Sequence, residues 1–326
     1  MQAIVCTQYG EAEVLKVKQV PQPKPKDDEV LIKVVAASIT TADSMMRSGT
    51  PWFARLFLGW SKPKRPIPGT GFAGTIEAIG KDVTLYKVND QVFGETSFEF
   101  GAHAEYLCLK QNSLIVKKPE TLSFDELAPM CDGALTSYSF LSDIVNLQKE
   151  QRILINGAAG SLGTAAVQIA HNIGAHVTGV CSAANSEFIK SLGADEVIDY
   201  VNDDFTQLEN TYDIIFDTIG KSSYCACRSL LKPGGTYLSP VLSIKLLFQM
   251  LFTSFIGPTK AKFSATGMRP IKELKPLLIE LKQLSEKGLL HTVISKRYAL
   301  NQISEAHQHI EGGHKKGNVI LKLQSN

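Results

Sequence analysis

The first third of the chain alternates short apolar runs with glycine and proline. After a first strand that begins near the N-terminus, we interpret five further runs as strands: EVLIKVVAASI, GTGFAGTIEAIG, DQVFGE, GAHAEYLCL and SLIVKKP. Runs of this length, separated by turn residues, are typical of a mostly antiparallel β domain. Residues 40–69, between the first two of these runs, predict a helix followed by a long loop.

From Ser123 onward, helix-length apolar patterns alternate with short strands rich in isoleucine and valine. A helix in SFDELAPMCDGALTSYSFLSDI, residues 123–144, comes first. The strands RILIN, HVTGVC, EVIDY, YDIIFD and GTYLSPV are then interleaved with the helices SLGTAAVQIAHNIG, SEFIKSLG and KSSYCACRSLL. This alternation predicts a parallel sheet with helices on both faces. AKFSAT adds a strand, and an amphipathic helix and a strand–helix–strand unit close the chain. The predicted fold class is therefore α/β, a doubly wound parallel sheet domain plus a mostly antiparallel β domain.

Length, charge and cysteine content indicate the number of domains, the class of partner and the cellular compartment. A chain of 326 residues is long enough for two domains. The net charge is only +2, and no Lys/Arg patch is interleaved with aromatic residues, so we expect no nucleic-acid partner. Six scattered cysteines lack the spacing of a disulfide framework, and the N-terminus lacks a signal pattern. We therefore expect a cytoplasmic protein.

The segment LSIKLLFQMLFTSFIG, residues 242–257, is strongly apolar but contains Lys245 and Gln249. A membrane span needs about 20 largely apolar residues, so this segment is too short and too polar to span. We interpret it as a helix that covers a sheet edge or lines a pocket or dimer interface, and we expect no membrane partner.

The segment INGAAGSLG places glycines in the spacing G-x-x-G-x-x-G between a strand and a helix. In a strand–turn–helix–strand context this spacing predicts a dinucleotide site, because glycine lets the backbone approach a pyrophosphate at the helix N-terminus. The predicted cofactor-binding residues of the turn are Asn156, Gly157, Ala159, Gly160, Ser161, Leu162 and Gly163. The alternative is a glycine-rich turn that binds nothing.

The segment VCSAANS, after the second strand of the predicted parallel sheet, has no carboxylate for a ribose diol. A carboxylate about 5 Å from a 2′-phosphate costs about 3 kcal/mol per phosphate charge at an effective dielectric constant near 20. Its absence favours NADPH, with Cys181, Ser182, Asn185 and nearby Tyr200 as predicted contacts. A neutral loop that accepts either cofactor is the alternative. Asp217, at the end of a later strand, faces the ligand crevice, caps the next helix, or does both.

Several motifs in a fixed order carry a family resemblance: EVLIKVVAASITTADSMMRSG, PIPGTGFAGTIEAIGKDVTLYKVNDQVFG, LGADEVIDY, FDTIG, LKPGGTYL and HKKGNVIL. They resemble the medium-chain dehydrogenase/reductase superfamily and, within it, the zinc-independent quinone oxidoreductase branch, similar to zeta-crystallin. The resemblance implies a GroES-like catalytic domain at 1–125 and 266–326, a Rossmann NADP-binding domain at 126–265, and an active site in the cleft between them. It also implies a homodimer, with AKFSAT and the apolar segment before it as the interface.

The zinc ligands of related alcohol dehydrogenases are missing at the corresponding positions. Thr40, Thr41 and Ser44 stand where a Cys and a His would fall, and Thr70-Gly71 replaces a His-Glu pair. Only one Cys lies between residues 92 and 109, so the four-Cys lobe is absent. Since zinc needs three or four Cys, His or carboxylate ligands, we expect no zinc or other metal.

By the same resemblance, Thr40 lies where relatives place an Asn near the nicotinamide, and Thr136 matches a threonine beside the cofactor. Tyr138 or a bound water is the candidate proton donor, with no clear general acid among the residues. Lys316, with Lys315, resembles a basic tail near the cofactor phosphate, although a solvated lysine pair fits the sequence equally well. Separately, Asp43 and Arg47 are expected to pair on one predicted turn, and His103 is a candidate to face the cleft.

A site without a metal suits acceptors that are already electrophilic. The predicted function is therefore NADPH-dependent, zinc-independent hydride transfer to a quinone or an α,β-unsaturated carbonyl compound. Two alternatives stay open. One is an alcohol or aldehyde dehydrogenase of the same superfamily, and the other is a non-catalytic dinucleotide-binding or RNA-binding accessory protein.

Overall fold

A computed structural model describes residues 1–50, 52, 55–209, 211–313 and 315–323. The described chain forms fifteen strands, whose bounds are β1 Gln2–Cys6, β2 Leu15–Gln19, β3 Glu29–Ile39, β4 Gly71–Ile79, β5 Gln91–Glu95, β6 Tyr106–Lys110, β7 Leu114–Lys117, β8 Arg152–Asn156, β9 His176–Cys181, β10 Glu196–Asp199, β11 Tyr212–Asp217, β12 Leu231–Ser239, β13 Lys260–Phe263, β14 Ile294–Ala299 and β15 Asn318–Lys322.

The α-helices of the described residues are α1 Thr41–Ser48, α2 Arg55–Leu58, α3 Phe124–Leu127, α4 Leu135–Tyr138, α5 Ser161–Ile173, α6 Ser186–Ser191, α7 Tyr224–Cys227, α8 Ile244–Phe255, α9 Ile271–Glu286 and α10 Ile303–Glu311. Two π-helical segments, Met130–Ala134 and Ser139–Ile144, flank α4. None of the helices in the described ranges is both long enough and apolar enough to cross a membrane.

Contacts along the chain divide it into two compact units. The first comprises Met1–Asp132, Pro270–Glu286 and Thr292–Asn326, and the second comprises Gly133–Arg269 and Lys287–His291. The boundaries therefore fall after residues 132 and 269, where the sequence predicted 125 and 265.

Two contacts hold Gly133 and the segment 287–291 within the second unit. A Cβ atom on Gly133 would lie 2.8 Å from the Ser161 carbonyl oxygen, so this glycine packs directly on the start of α5. The short return at 287–291 is held by Gln168, which donates to the His291 carbonyl and accepts from the His291 amide.

The second unit is built on a six-stranded parallel sheet with the order β10-β9-β8-β11-β12-β13. Asn156 at the end of β8 pairs with Val180 of β9 and with Asp217 of β11, so the carboxyl ends of these strands share one edge. Strands β8 and β11 are buried over most of their length, as their continuous apolar runs require in a sheet covered on both faces. The predicted doubly wound sheet is confirmed.

The first unit is built on a seven-stranded, mostly antiparallel sheet with the order β14-β15-β3-β4-β5-β7, in which β6 pairs with β3. Strand β15 returns from the end of the chain to pair with β3, and Val319 lies opposite Ile39. The separate antiparallel pair β1–β2 confirms the strand predicted near the N-terminus. The predicted α/β class, with a second and mostly antiparallel domain, is confirmed.

The single helix predicted over 123–144 is broken into α3, α4 and the two π-helical segments. The wider turns are located where Gly133 approaches Ser161 and where Phe140 reaches β11. Phe140 and Phe216 are fully buried and stack with ring centroids 5.1 Å apart. Helix-length periodicity predicted this segment correctly, but periodicity alone does not reveal a local change of helical pitch.

All six cysteines are free thiols. Burial raises the pKa of five of them above the usual thiol value, to about 11 for Cys108, Cys181 and Cys227. Cys6 and Cys131 shift in the same direction for the same reason. These five thiols are therefore protonated at neutral pH.

Removing the Phe216 ring should destabilise the protein strongly, because the stacked pair fills the space between β11 and the second π-helical segment. For Phe216→Ala we expect a loss of about 3 to 5 kcal/mol in the free energy of unfolding, measured by urea titration. The matched control Phe255→Ala, in the same unit with 80% of the residue exposed, should change it by less than about 0.5 kcal/mol. Equal losses in the two variants would contradict this account of the core.

Candidate functional site

The glycine turn connects β8 to α5, and each glycine has a separate structural reason. Gly157 has a φ of 80°, a backbone conformation that favours glycine. A Cβ on Gly163 would lie 2.1 Å from the Gly157 carbonyl oxygen, so only glycine allows α5 to approach the turn this closely. These two residues fix the shape of the turn.

Gly160 is different, because nothing crowds it. A Cβ there would meet only the Gly157 carbonyl oxygen, at 3.5 Å, and its φ of −77° suits any residue. Helix α5 begins directly after it with no side-chain cap and no acidic residue in its first turn. An open backbone at a helix N-terminus is the arrangement that binds a phosphate anion, so the structure fits a dinucleotide at this turn.

Asp217 is fully buried and organises the loop that follows β11. Its carboxylate accepts hydrogen bonds from Asn156 Nδ2 at 3.0 Å, from the Tyr237 hydroxyl at 2.9 Å, and from the backbone amides of residues 219, 220 and 222. Helix α7 is capped instead by Ser223, which accepts from the Ala226 amide. Of the two roles left open for Asp217, helix capping is not found, because its carboxylate accepts instead from Asn156, from Tyr237 and from the three amides before the helix.

The loop after β9 holds the residues predicted to contact a 2′-phosphate. Asn185 Nδ2 donates to Ser182 Oγ at 3.2 Å, and Asn185 Oδ1 is buried without a hydrogen-bond partner among the described residues. The Tyr200 amide donates to the Cys181 carbonyl, while the Tyr200 ring is largely exposed. Ser182, Asn185 and Tyr200 are thus brought together at the ends of β9 and β10.

One carboxylate at this place was missed by the sequence analysis. Asp199 ends β10 directly opposite Cys181 of β9, and it accepts hydrogen bonds from the amides of Ala183 and Val201. The pairing of β9 with β10, which no local pattern reveals, brings this charge beside Ser182. The loop after β9 contains no carboxylate, but Asp199 at the end of β10 places one beside it.

Helix α4 lies against the start of α5. Ser137 Oγ donates to the Leu162 carbonyl at 2.8 Å, and Gly133 packs on Ser161. Thr136 and Tyr138 are the neighbours of Ser137 on this helix, and both are half-buried. The structure therefore brings two of the predicted catalytic residues close to the glycine turn within the second unit.

Thr40 lies in the first unit and caps α1. Its hydroxyl donates to Asp43 Oδ2 at 2.8 Å and accepts from the Asp43 amide at 3.1 Å. Arg47 does not pair with Asp43, so that expectation was wrong. Arg47 instead pairs with Glu311 and donates to the Gly10 carbonyl, because α10 supplies a carboxylate while the Asp43 carboxylate is held by its own helix cap.

Asp43 belongs to a cluster of ionisable groups in the first unit, with Glu95, Asp132 and Lys315. Asp43 is fully buried, and its Oδ1 has no hydrogen-bond partner in the described part of the chain. Glu95 ends β5 opposite Gly71, where a Cβ would lie 2.6 Å from the Ala128 carbonyl, so the segment leading to Asp132 passes nearby. We call these four residues the carboxyl cluster.

Burial and neighbouring charges shift the pKa of three residues of the carboxyl cluster, Glu95, Asp132 and Lys315. Desolvation, aided by the charges of Asp132 and Asp43, raises the pKa of Glu95 to about 8. Desolvation raises the pKa of Asp132 to about 6, although the charge of Lys315 opposes this shift. Burial lowers the pKa of Lys315, and the two aspartates limit that decrease. Glu95 therefore carries a proton at neutral pH. Sequence analysis missed this property because the residues of the carboxyl cluster come from separate segments of the chain.

Two buried histidines of the first unit are structural. The Nε2 of His103 lies 2.8 Å from the Ser38 carbonyl, and a Cβ on Gly69 would lie 2.2 Å from the His103 ring. His307 Nδ1 lies 3.1 Å from Ser44 Oγ, and burial lowers the pKa of His307 to about 3. His103 is thus enclosed by Gly69 and Ser38. Within the described ranges, no three His, Cys, Asp or Glu residues are grouped so that they could hold a metal ion.

Two family models and several known proteins match this chain. A family model described as alcohol dehydrogenase GroES-like domain matches residues 26–120, and one described as zinc-binding dehydrogenase matches residues 192–321. A quinone-oxidoreductase homolog, chloroplastic, from Spinacia oleracea is 31% identical over 99% of this chain and 98% of its own length. The chain belongs to the medium-chain dehydrogenase/reductase superfamily, in its quinone oxidoreductase branch.

Two further relatives agree with this membership. The NADPH-dependent alkenal/one oxidoreductase, chloroplastic, from Arabidopsis thaliana is 26% identical over 98% of this chain and 79% of its own length. The structure of the quinone oxidoreductase from Coxiella burnetii superposes with a TM-score of 0.89 at 27% identity and covers 99% of both chains. The present chain is thus an oxidoreductase of the medium-chain type.

Lys316, which the resemblance placed near the cofactor phosphate, lies in the first unit and is exposed.

The variant Gly160→Ala should separate nucleotide binding from folding. Its methyl group fits the folded turn but occupies the space that a pyrophosphate would use, so we expect the Kd for NADPH to rise at least about tenfold with stability unchanged. Calorimetric titration measures the Kd. Gly312→Ala is the matched control, since a Cβ there also meets its nearest atoms at 3.5 Å and its φ is −61°. Unchanged binding in Gly160→Ala would contradict a phosphate site at this turn.

The raised pKa of Glu95 should make stability depend on pH. Between about pH 4.5 and 8 the folded state binds more protons than the unfolded state, so the free energy of unfolding falls as pH rises. The contribution of Glu95 is at most about 1.4 kcal/mol per pH unit, and Asp132 adds to it below about pH 6.

Relative to wild type, Glu95→Gln should therefore be more stabilising at pH 8 than at pH 5. Urea unfolding across this pH range measures the free energy of unfolding of both proteins. Glu120→Gln, at an exposed position, should leave the wild-type slope intact. An identical slope in Glu95→Gln and wild type would show that Glu95 titrates normally.

Proposed function

We propose that the protein is an NADPH-dependent oxidoreductase that transfers a hydride to a quinone or an α,β-unsaturated carbonyl compound without using a metal ion. The observation that carries the proposal is the open glycine turn at Gly160, on a chain that matches a quinone oxidoreductase relative over nearly its full length. An alkenal/one oxidoreductase among the relatives supports the second acceptor class.

When bound, NADPH supplies a hydride from C4 of its nicotinamide ring. The backbone of the glycine turn and the first turn of α5 bind the pyrophosphate. Thr136, on the helix that packs against α5, is the residue we assign to the nicotinamide end. The chain contributes mainly binding and orientation, which are worth several kcal/mol of the barrier when reactants are held close together.

The preference for NADPH rests on the loop after β9. Ser182 Oγ and Asn185 Nδ2 are hydrogen-bond donors suited to a 2′-phosphate, with Tyr200 beside them. Asp199 opposes this preference through its charge, although both of its oxygens are already bonded to groups of residues 183, 201 and 202. NADPH remains our proposal because donors occupy the loop and both oxygens of the carboxylate already accept hydrogen bonds.

The reduction needs a proton as well as a hydride. For an enone, the hydride adds to the β carbon and a proton reaches the α carbon or the oxygen. We assign Tyr138, on the helix that contacts the start of α5, as the proton donor: its O–H bond breaks, and the resulting phenolate takes a proton from solvent before the next turnover. A bound water is the alternative donor.

The homodimer, the cytoplasmic location and the absence of a nucleic-acid partner remain predictions. Both curated relatives described above are chloroplastic, so they do not support a cytoplasmic location. The metal-free site is likewise a proposal, supported by threonine and glycine at the ligand positions of the zinc-dependent relatives.

An acceptor assay tests the function. We expect NADPH oxidation, followed by absorbance, to require a quinone or an enone and to be unaffected by a chelator. Alcohol oxidation that a chelator abolishes would support the alcohol dehydrogenase alternative. Cofactor binding without turnover across a broad acceptor panel would support the accessory-protein alternative.

Substitution of Tyr138 tests the proton donor in the same reaction. Tyr138→Phe should lower kcat at least about 100-fold, because the hydroxyl group that donates the proton is removed. An unchanged kcat in this variant would assign the proton to a bound water.

A further inference from the structure

A cavity of about 120 Å³ lies in the first unit beside helix α1. Its size is close to the roughly 150 Å³ of a protein cavity that binds one benzene molecule. We call it the α1 cavity, and its lining is mainly apolar. The apolar side chains of the lining include two phenylalanines and two prolines: Met46, Leu58, Pro63, Pro68, Phe98 and Phe100. The α1 cavity therefore has the size and the lining for a single aromatic ring.

Backbone hydrogen bonds between separate segments hold the walls of the α1 cavity in place. The Lys64 amide donates to the Leu58 carbonyl at 2.8 Å and closes the loop between these two residues. Cys6, which ends β1 and also lines the cavity, donates from its amide to the Pro66 carbonyl at 2.7 Å. The walls are thus formed by the fold itself, so a ligand would pay little for ordering the chain.

The segment that supplies most of this lining is cationic. Residues 44–76 contain five cationic residues and no Asp or Glu, in a chain whose net charge is only +2. Two of the five are held by other groups. Arg47 pairs with Glu311, and Arg55 donates to two backbone carbonyls.

Two exposed cations of this segment, Lys64 and Arg65, line the α1 cavity. Arg65 Nη1 donates to the Glu99 carbonyl at 3.1 Å, and because this partner is neutral the guanidinium keeps its net charge. Glu99 itself is exposed and adds one negative charge between Phe98 and Phe100. Two cations against one carboxylate leave the exposed edge of the cavity positive, so an anionic group complements it.

We propose that the α1 cavity binds an aryl carboxylate, with its ring between the apolar walls and its carboxylate at Lys64 and Arg65. The ammonium and guanidinium groups donate hydrogen bonds to the carboxylate oxygens, and charge on both partners strengthens these bonds. A neutral aryl compound would gain only the apolar contacts. All of the lining residues belong to the first unit, so this binding goes beyond the proposed hydride transfer and does not depend on it.

Calorimetric titration of the full-length protein without cofactor tests the proposal. The probes are 3-phenylpropanoate and its neutral amide, 3-phenylpropanamide, which share the ring and the spacer. We expect wild type to bind the acid about fivefold more tightly than the amide, as two solvent-exposed ion pairs would require. High salt should reduce this preference.

Lys64→Gln combined with Arg65→Gln should remove the preference by raising the Kd of the acid about fivefold, while the Kd of the amide stays unchanged. The matched control is Lys16→Gln with Lys18→Gln, which removes two exposed cations from β2 in the same unit. The control should bind both probes as wild type does. The cavity variant and its control should unfold at the wild-type temperature, since all four side chains are exposed.

Phe98→Ala tests the apolar wall. The Phe98 residue is 55% exposed, so its truncation should leave the unfolding temperature unchanged while raising the Kd of both probes at least about fivefold. Leu289→Ala, an exposed apolar position in the second unit, is the control and should bind as wild type does.

Tryptophan fluorescence locates the bound acid. The two tryptophans of the chain, Trp52 and Trp60, both lie in residues 44–76, and Trp60 lies between Leu58 and Pro63 of the lining. Binding of the acid should therefore change their emission, with the Kd found by calorimetry. Absence of acid binding, an acid preference that Lys64→Gln/Arg65→Gln retains, or binding that leaves the emission unchanged would overturn the proposal.

Discussion

The buried carboxylate of Asp217 is the constraint on which the nucleotide edge of the second unit depends. An ionised carboxylate without partners inside a protein is very costly, and Asp217 avoids this cost by accepting five hydrogen bonds. These bonds join the end of β8, the loop after β11 and strand β12. The adjacent Thr218 hydroxyl donates to the Asn156 carbonyl at 2.8 Å, which ties the glycine turn to the same network. The Asp217 carboxylate therefore holds in place the backbone that would bind a phosphate, without itself being part of the phosphate site.

Local sequence patterns predicted the parts of the molecule that depend on local physics. The glycine turn, the alternating strands and the parallel sheet follow from spacing and periodicity, because the backbone conformations they require involve neighbouring residues. Contacts between distant segments did not follow. Arg47 pairs with Glu311 rather than with Asp43, and Asp199 reaches Ser182's loop only through the β9–β10 register. Neither partner can be chosen from charge and spacing along the chain.

The two units contribute different kinds of chemistry. The second offers a ligand mainly the backbone groups of the glycine turn, whose geometry is insensitive to pH. The first gathers Asp43, Glu95, Asp132 and Lys315, where repulsion between carboxylates in a shielded place favours retention of a proton. These four ionisable groups come from four separate segments of the chain. Only the fold reveals their proximity, so a motif search could not have found the raised pKa of Glu95.

The protonated cysteines have a chemical consequence for a protein proposed to handle electrophiles. Enones and quinones alkylate thiolates, and the rate depends on the fraction of each thiol that is ionised. Burial keeps the pKa of Cys108, Cys181 and Cys227 near 11, and Cys6 and Cys131 shift the same way. Cys225 is the single exposed cysteine among the six. The fold thus protects most of its own nucleophiles from the compounds it is proposed to reduce, and alkylation damage should concentrate at one surface position.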